Sequence, residues 1–138
     1  MITQTRKIDR NGVIDQVLRV RLVEDDALFA RAVKKILEQS GYICEWATTI
    51  SEARSIIDRF LPDILLLDIR LPDGSSMDLL TELSNMSVAV IFMTSYTDAD
   101  DVTIAAKYGV TDFLQKPIDL DILLNVVKEV RSLTVLKH

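Results

Sequence analysis

Residues 64–74, ILLLDIRLPDG, run four apolar side chains straight into an aspartate before a proline and a glycine are allowed. An uninterrupted apolar run bounded by turn residues suits a strand buried on both faces, as in a parallel sheet covered by helices. Asp68 then stands where the strand ends. In open α/β sheets that edge is where ligands bind, so the carboxylate is a candidate for chemistry.

The rest of the chain repeats this alternation of strand-like and helix-like periods. Strands are expected over 17–25 (VLRVRLVED), 42–48 (YICEWAT), 63–68 (DILLLD), 88–95 (VAVIFMTS) and 110–116 (VTDFLQK). Between them, helices are expected with Phe29, Val33, Ile36 and Leu37 on one face, then Ala53, Ile56, Ile57 and Phe60, then Leu79, Leu80 and Leu83 within 76–84. Ser40 and Gly41 close the first, Thr49 and Glu52 form a capping box for the second, and Pro62 ends it. A weaker helix covers 98–109, and a last one from about Asp119 carries Leu120, Leu123, Leu124, Val127 and Val130. Five βα units call for one parallel sheet with helices on both faces. With 138 residues, 49% of them hydrophobic, one domain accounts for the chain.

Parallel strands bring their C-terminal ends to one edge. The residues collected there are Glu24, Asp25 and Asp26 after the first strand, Asp68 after the third, Thr94 and Ser95 after the fourth, and Lys116 with Pro117 after the fifth. Converging carboxylates raise each other's pKa unless a cation sits among them. Oxygen ligands with no His or Cys nearby favour Mg2+ over zinc. Lys116 and the Thr94 hydroxyl suit the oxygens of a phosphoryl group, and an aspartate in that setting can accept one as an aspartyl-phosphate.

Taken singly, each residue has a duller role. Asp68 could form a turn, Asp26 could cap a helix, Thr94 could fill a sheet, and Lys116-Pro117 could end a strand. Their joint placement at four strand ends favours the chemical reading. The balance of 16 basic against 21 acidic residues, a net charge of −5, disfavours a surface that tracks nucleic-acid phosphates. Cys44 stands alone, which rules out an internal disulfide, and its apolar surroundings suit buried filler. No secretory h-region and no membrane-length apolar stretch is present, so a cytoplasmic protein without membrane contact is expected.

The motifs LVEDD, LLLDIRLP, VIFMTS and DFLQKP, in this order and spacing, resemble the receiver domains of bacterial two-component response regulators. The resemblance covers about 17–134, leaving a flexible extension over 1–16 and a tail over 135–138. It implies a flavodoxin-like doubly wound sheet of order 2-1-3-4-5. It further implies that Asp68 accepts a phosphoryl group from a sensor histidine kinase, with Glu24, Asp25, Asp68 and the backbone carbonyl of Arg70 holding Mg2+. Thr94 would follow the phosphoryl group, Lys116 would pair with it, and Phe113 matches the aromatic switch coupled to Thr94. The face formed by the fourth helix, fifth strand and fifth helix is then where output partners or a second protomer are expected, with transcription controlled through an effector domain outside this chain. The resemblance implies a signalling phosphoacceptor rather than a turnover enzyme, and bulky Arg70 and Tyr96 at positions that in this family border the attacking water imply slow autodephosphorylation.

Some positions depart from the family pattern. Ser76 stands where many members have glycine, with Gly74 two residues earlier, and Arg21 interrupts an apolar strand, where it must snorkel or pair. A haloacid-dehalogenase-type phosphatase would need a second aspartate where this chain has Arg70. A receiver-like module that takes no phosphate would have no need of Glu24, Asp25, Asp68, Thr94 and Lys116 together.

Overall fold

The computed structural model describes residues 6–8, 14–16, 18–59, 61–83, 86–95, 103 and 105–136. Its main sheet has five parallel strands: β1 (Arg19–Val23), β2 (Ile43–Ala47), β3 (Ile64–Asp68), β4 (Ala89–Thr94) and β5 (Asp112–Gln115). They lie in the order β2-β1-β3-β4-β5, the expected doubly wound arrangement.

Strand β3 sits at the centre, and all five of its residues are buried. Ile64 and Leu66 face one core, with Val20, Leu22, Ile91 and Met93 beside them. That core is closed by α1 (Ala27–Gln39), through Ala30, Val33 and Leu37, and by the C-terminal helix (Leu120–Leu136), through Leu123, Val127 and Val130. Leu65 and Leu67 face the opposite core with Val23, Val90 and Phe92, under α2 (Ile50–Arg59) and α3 (Met77–Leu83). Two helix layers thus explain the uninterrupted apolar run. Each fully buried leucine or isoleucine in it contributes about 1.5–3 kcal/mol.

The helices start where the sequence provides caps. Asp26 accepts the amides of Leu28 and Phe29 at 3.1 and 3.2 Å, and Asp119 accepts those of Asp121 and Ile122 at 2.8 and 3.3 Å. Of the expected fourth helix, residues 103 and 105–107 are helical, and Ala105 is buried in the second core. Residues 98–102 and 104 of that helix, with Phe60 and Tyr96, lie outside the described residues.

Two short hairpins accompany the sheet. Within the expected N-terminal extension, Arg6–Ile8 pairs antiparallel with Ile14–Gln16. After Asp68, where the sequence places a proline and a glycine, Arg70–Leu71 pairs antiparallel with Gly74–Ser75 around Pro72 and Asp73. Gly74 takes φ +134°, open to glycine at little cost. Two-residue strands are too short to leave a periodicity in the sequence. Among the described residues no helix is long and apolar enough to cross a membrane.

Candidate functional site at the C-terminal edge of the sheet

Strand β1 delivers Glu24 to the edge, where its amide donates to the Ala47 carbonyl at 3.0 Å. The Trp46 indole N–H donates to the Glu24 carbonyl at 2.7 Å, and the Asp26 amide donates to Glu24 Oε2 at 3.2 Å. Glu24 is therefore fastened by backbone and side chain alike, with 0% of its surface exposed. Asp26 is committed to capping α1, while the Asp25 side chain is exposed.

One carboxylate oxygen from each of Glu24, Asp25 and Asp68 lies within 4.8 Å of the others. Lys116, following β5, reaches back across the edge: its Nζ donates to Glu24 Oε1 at 2.6 Å and to Asp68 Oδ2 at 3.0 Å. The same ammonium stands 5.6 Å from the centre of the Phe29 ring. Its backbone amide donates to the Thr94 carbonyl at 2.6 Å, which ties the end of β5 to the end of β4. The Lys116-Pro117 peptide is cis.

The electrostatics follow from this crowding. Burial pushes the Glu24 carboxyl above the ordinary glutamate value; the Lys116 hydrogen bond works against that rise and neighbouring Asp68 adds to it. Burial also works against the Lys116 ammonium, yet its bonds to Glu24 and Asp68 outweigh it and leave its pKa above the ordinary lysine value. A cluster with two buried carboxylates, a third at its rim and one bridging ammonium has room in its charge balance for a further cation. Its all-oxygen donor set suits Mg2+.

The remaining expected residues fall around this centre. Thr94 is buried at the end of β4, and Phe113 on β5 packs against Phe92 with ring centroids 6.2 Å apart at 51°. Arg70 lies two residues beyond Asp68 in the small hairpin, with its side chain exposed. Three further residues make contacts that local sequence did not reveal. Trp46 acts through its indole on a neighbouring strand. Asp73 reaches the start of α2, accepting the amides of Ile50 and Ser51 at 2.9 and 3.0 Å. Ser76 is fully buried, and its hydroxyl donates toward the carbonyls of Asp68 at 2.8 Å and Ile69 at 3.1 Å. Its substitution for glycine was visible in the sequence, but the contact was not.

Comparison with known proteins points to one family. The family model described as the response regulator receiver domain matches residues 20–128. The transcriptional regulatory protein CrdR of Helicobacter pylori is 36% identical over 108 residues, covering 75% of this chain and 50% of that protein. The luminescence regulatory protein LuxO of Vibrio campbellii is 35% identical over 120 residues, covering 85% of this chain and 26% of that protein. The chain thus spans half or less of the length of these curated relatives. A CheY-like response regulator receiver domain protein from Methanospirillum hungatei superposes with a TM-score of 0.85 at 26% identity, covering 89% of this chain and 100% of that one.

Proposed function

The chain belongs to the response regulator receiver domain family, and from that membership we propose that it is a phosphorylation-driven signalling switch with Asp68 as its phosphoacceptor. The observation that carries the reading is the Lys116 ammonium bonded at once to Glu24 and Asp68, with Asp25 completing a carboxylate cluster at one sheet edge. An Asp68 carboxylate oxygen attacks the phosphorus of a phosphohistidine on a sensor kinase. The P–N bond breaks as the acyl-phosphate P–O bond forms, and the departing imidazole keeps the electron pair of the P–N bond.

Glu24, Asp25, Asp68 and the Arg70 backbone carbonyl would hold Mg2+, which supplies neutralisation of charge on the phosphoryl oxygens. Lys116 pairs with those oxygens, and the Thr94 hydroxyl donates to them. Adding this charge at the edge draws Thr94 and re-packs Phe113 against Phe92, changing the face of the fourth helix, β5 and the C-terminal helix. That face is where an output partner or a second protomer docks, in the cytoplasm, and transcription is controlled through an effector domain outside this chain. The exposed Arg70, two residues beyond Asp68, shields the acyl phosphate from hydrolytic water and slows autodephosphorylation.

Trp46 donates to the Glu24 carbonyl and so provides the test. Its fluorescence is expected to respond saturably to Mg2+, and to respond further to fluoroberyllate only when Mg2+ is present. Asp25→Asn should weaken the first response, and Asp68→Asn should abolish the second. Fluoroberyllate binding unchanged in Asp68→Asn would refute the assignment.

A further inference from the structure

We propose that Ser76 is a positioning residue for phosphoryl transfer: its hydroxyl sets the Asp68–Ile69 peptide and, through it, the Asp68 carboxylate. The inference rests on Asp68 being the phosphoacceptor. The chain leaves the sheet at this peptide, so the regular ladder no longer holds it on both sides. The Ile69 amide donates to the Met93 carbonyl at 3.3 Å, a long bond, while the Asp68 carbonyl accepts the Ser76 hydroxyl at 2.8 Å. The hydroxyl is the shorter of these two restraints.

One hydroxyl proton cannot serve two carbonyls fully. The Ile69 carbonyl already accepts the Ser76 amide at 2.9 Å, so the hydroxyl matters most at Asp68. Ser76 is not occupied with starting α3 by its side chain either, because Ser75 Oγ accepts the Met77 amide at 3.3 Å. Meanwhile the Ser76 carbonyl accepts the Leu80 amide at 3.1 Å, which anchors the serine to the first turn of α3. Ser76 thus joins α3 to the backbone of the acceptor residue. Because it is fully buried, deleting the hydroxyl leaves the Asp68 carbonyl without that donor and lets the peptide turn. The Asp68 carboxylate, 3.0 Å from Lys116, turns with it.

The test compares the full chain with Ser76→Ala and with Ser75→Ala, a neighbouring change that removes a contact at α3 but none at Asp68. Acetyl phosphate serves as donor, and the Mg2+ half-saturation is read separately from Trp46 fluorescence without any donor. In Ser76→Ala the maximal phosphorylation rate should fall about tenfold with the half-saturating acetyl phosphate little changed, and the Mg2+ half-saturation should rise several-fold. Ser75→Ala should leave all three near wild type. If Ser76→Ala does not fold, Ser76→Cys carries the same test, since its thiol fills the site but is a weak donor. Rates and Mg2+ half-saturation equal to wild type in a folded Ser76 variant would overturn the positioning role alone. Loss of phosphorylation in every protein, or its persistence in Asp68→Asn, would instead overturn the phosphoacceptor reading beneath it.

Discussion

Arg21 puts a guanidinium in the middle of a buried strand. Opposite it in register on β2 is Glu45, and the two side chains meet at 3.3 Å. Burial lowers the Arg21 pKa, with Glu45 opposing that shift, and Arg21 Nε is buried without a hydrogen-bond partner. The sequence announced that this arginine needed a partner; which one depended on register between strands more than twenty residues apart. Buried ion pairs are often replaced by apolar side chains at no loss, and Glu45 here is half exposed and can be hydrated alone. Arg21→Met is therefore expected to leave stability unchanged or raise it by about 1 kcal/mol, read from urea unfolding. A loss of more than about 1 kcal/mol would show that the pair contributes more than its desolvation costs.

At the scale of elements, the start of α2 shows what local sequence conveys and what it omits. The Thr49–Glu52 capping signal is realised in part, with the Glu52 amide donating to Thr49 Oγ1 at 3.1 Å. The Ile50 and Ser51 amides go instead to Asp73, a residue more than twenty positions away at the tip of the hairpin after Asp68. No window of sequence contains both ends of that contact. These backbone hydrogen bonds hold the Asp73 carboxyl below the usual aspartate range. A lowered folded-state pKa contributes stability above the unfolded pKa of about 3.9, and that stability is lost as pH falls through the folded value. Asp73→Ala should thus lower Tm at pH 7, and the gap to wild type should narrow as pH falls below about 4. A gap independent of pH would assign the loss to packing of the hairpin rather than to the charged cap.

For the whole molecule, alternating periods and one double-sided apolar strand were enough to read the sheet, its two helix layers and the edge where the polar residues gather. The reach of Lys116 to both Glu24 and Asp68 was not readable, because it depends on side-chain packing across three strands. That ammonium also makes the cluster tolerable in the fold. Lys116→Met leaves the buried Glu24 and Asp68 carboxylates uncompensated and should cost about 1–3 kcal/mol in chelator, with part of the loss recovered in millimolar Mg2+. Equal stability of variant and wild type in chelator would mean that the cluster needs no countercharge.

The most direct measurement is intact-mass analysis after incubation with acetyl phosphate, in Mg2+ and in EDTA, beside Asp68→Asn. The account predicts a gain of one phosphoryl group in Mg2+, none in EDTA and none in the variant. A phosphoryl group gained by Asp68→Asn, or no gain by the wild type under either condition, would contradict it.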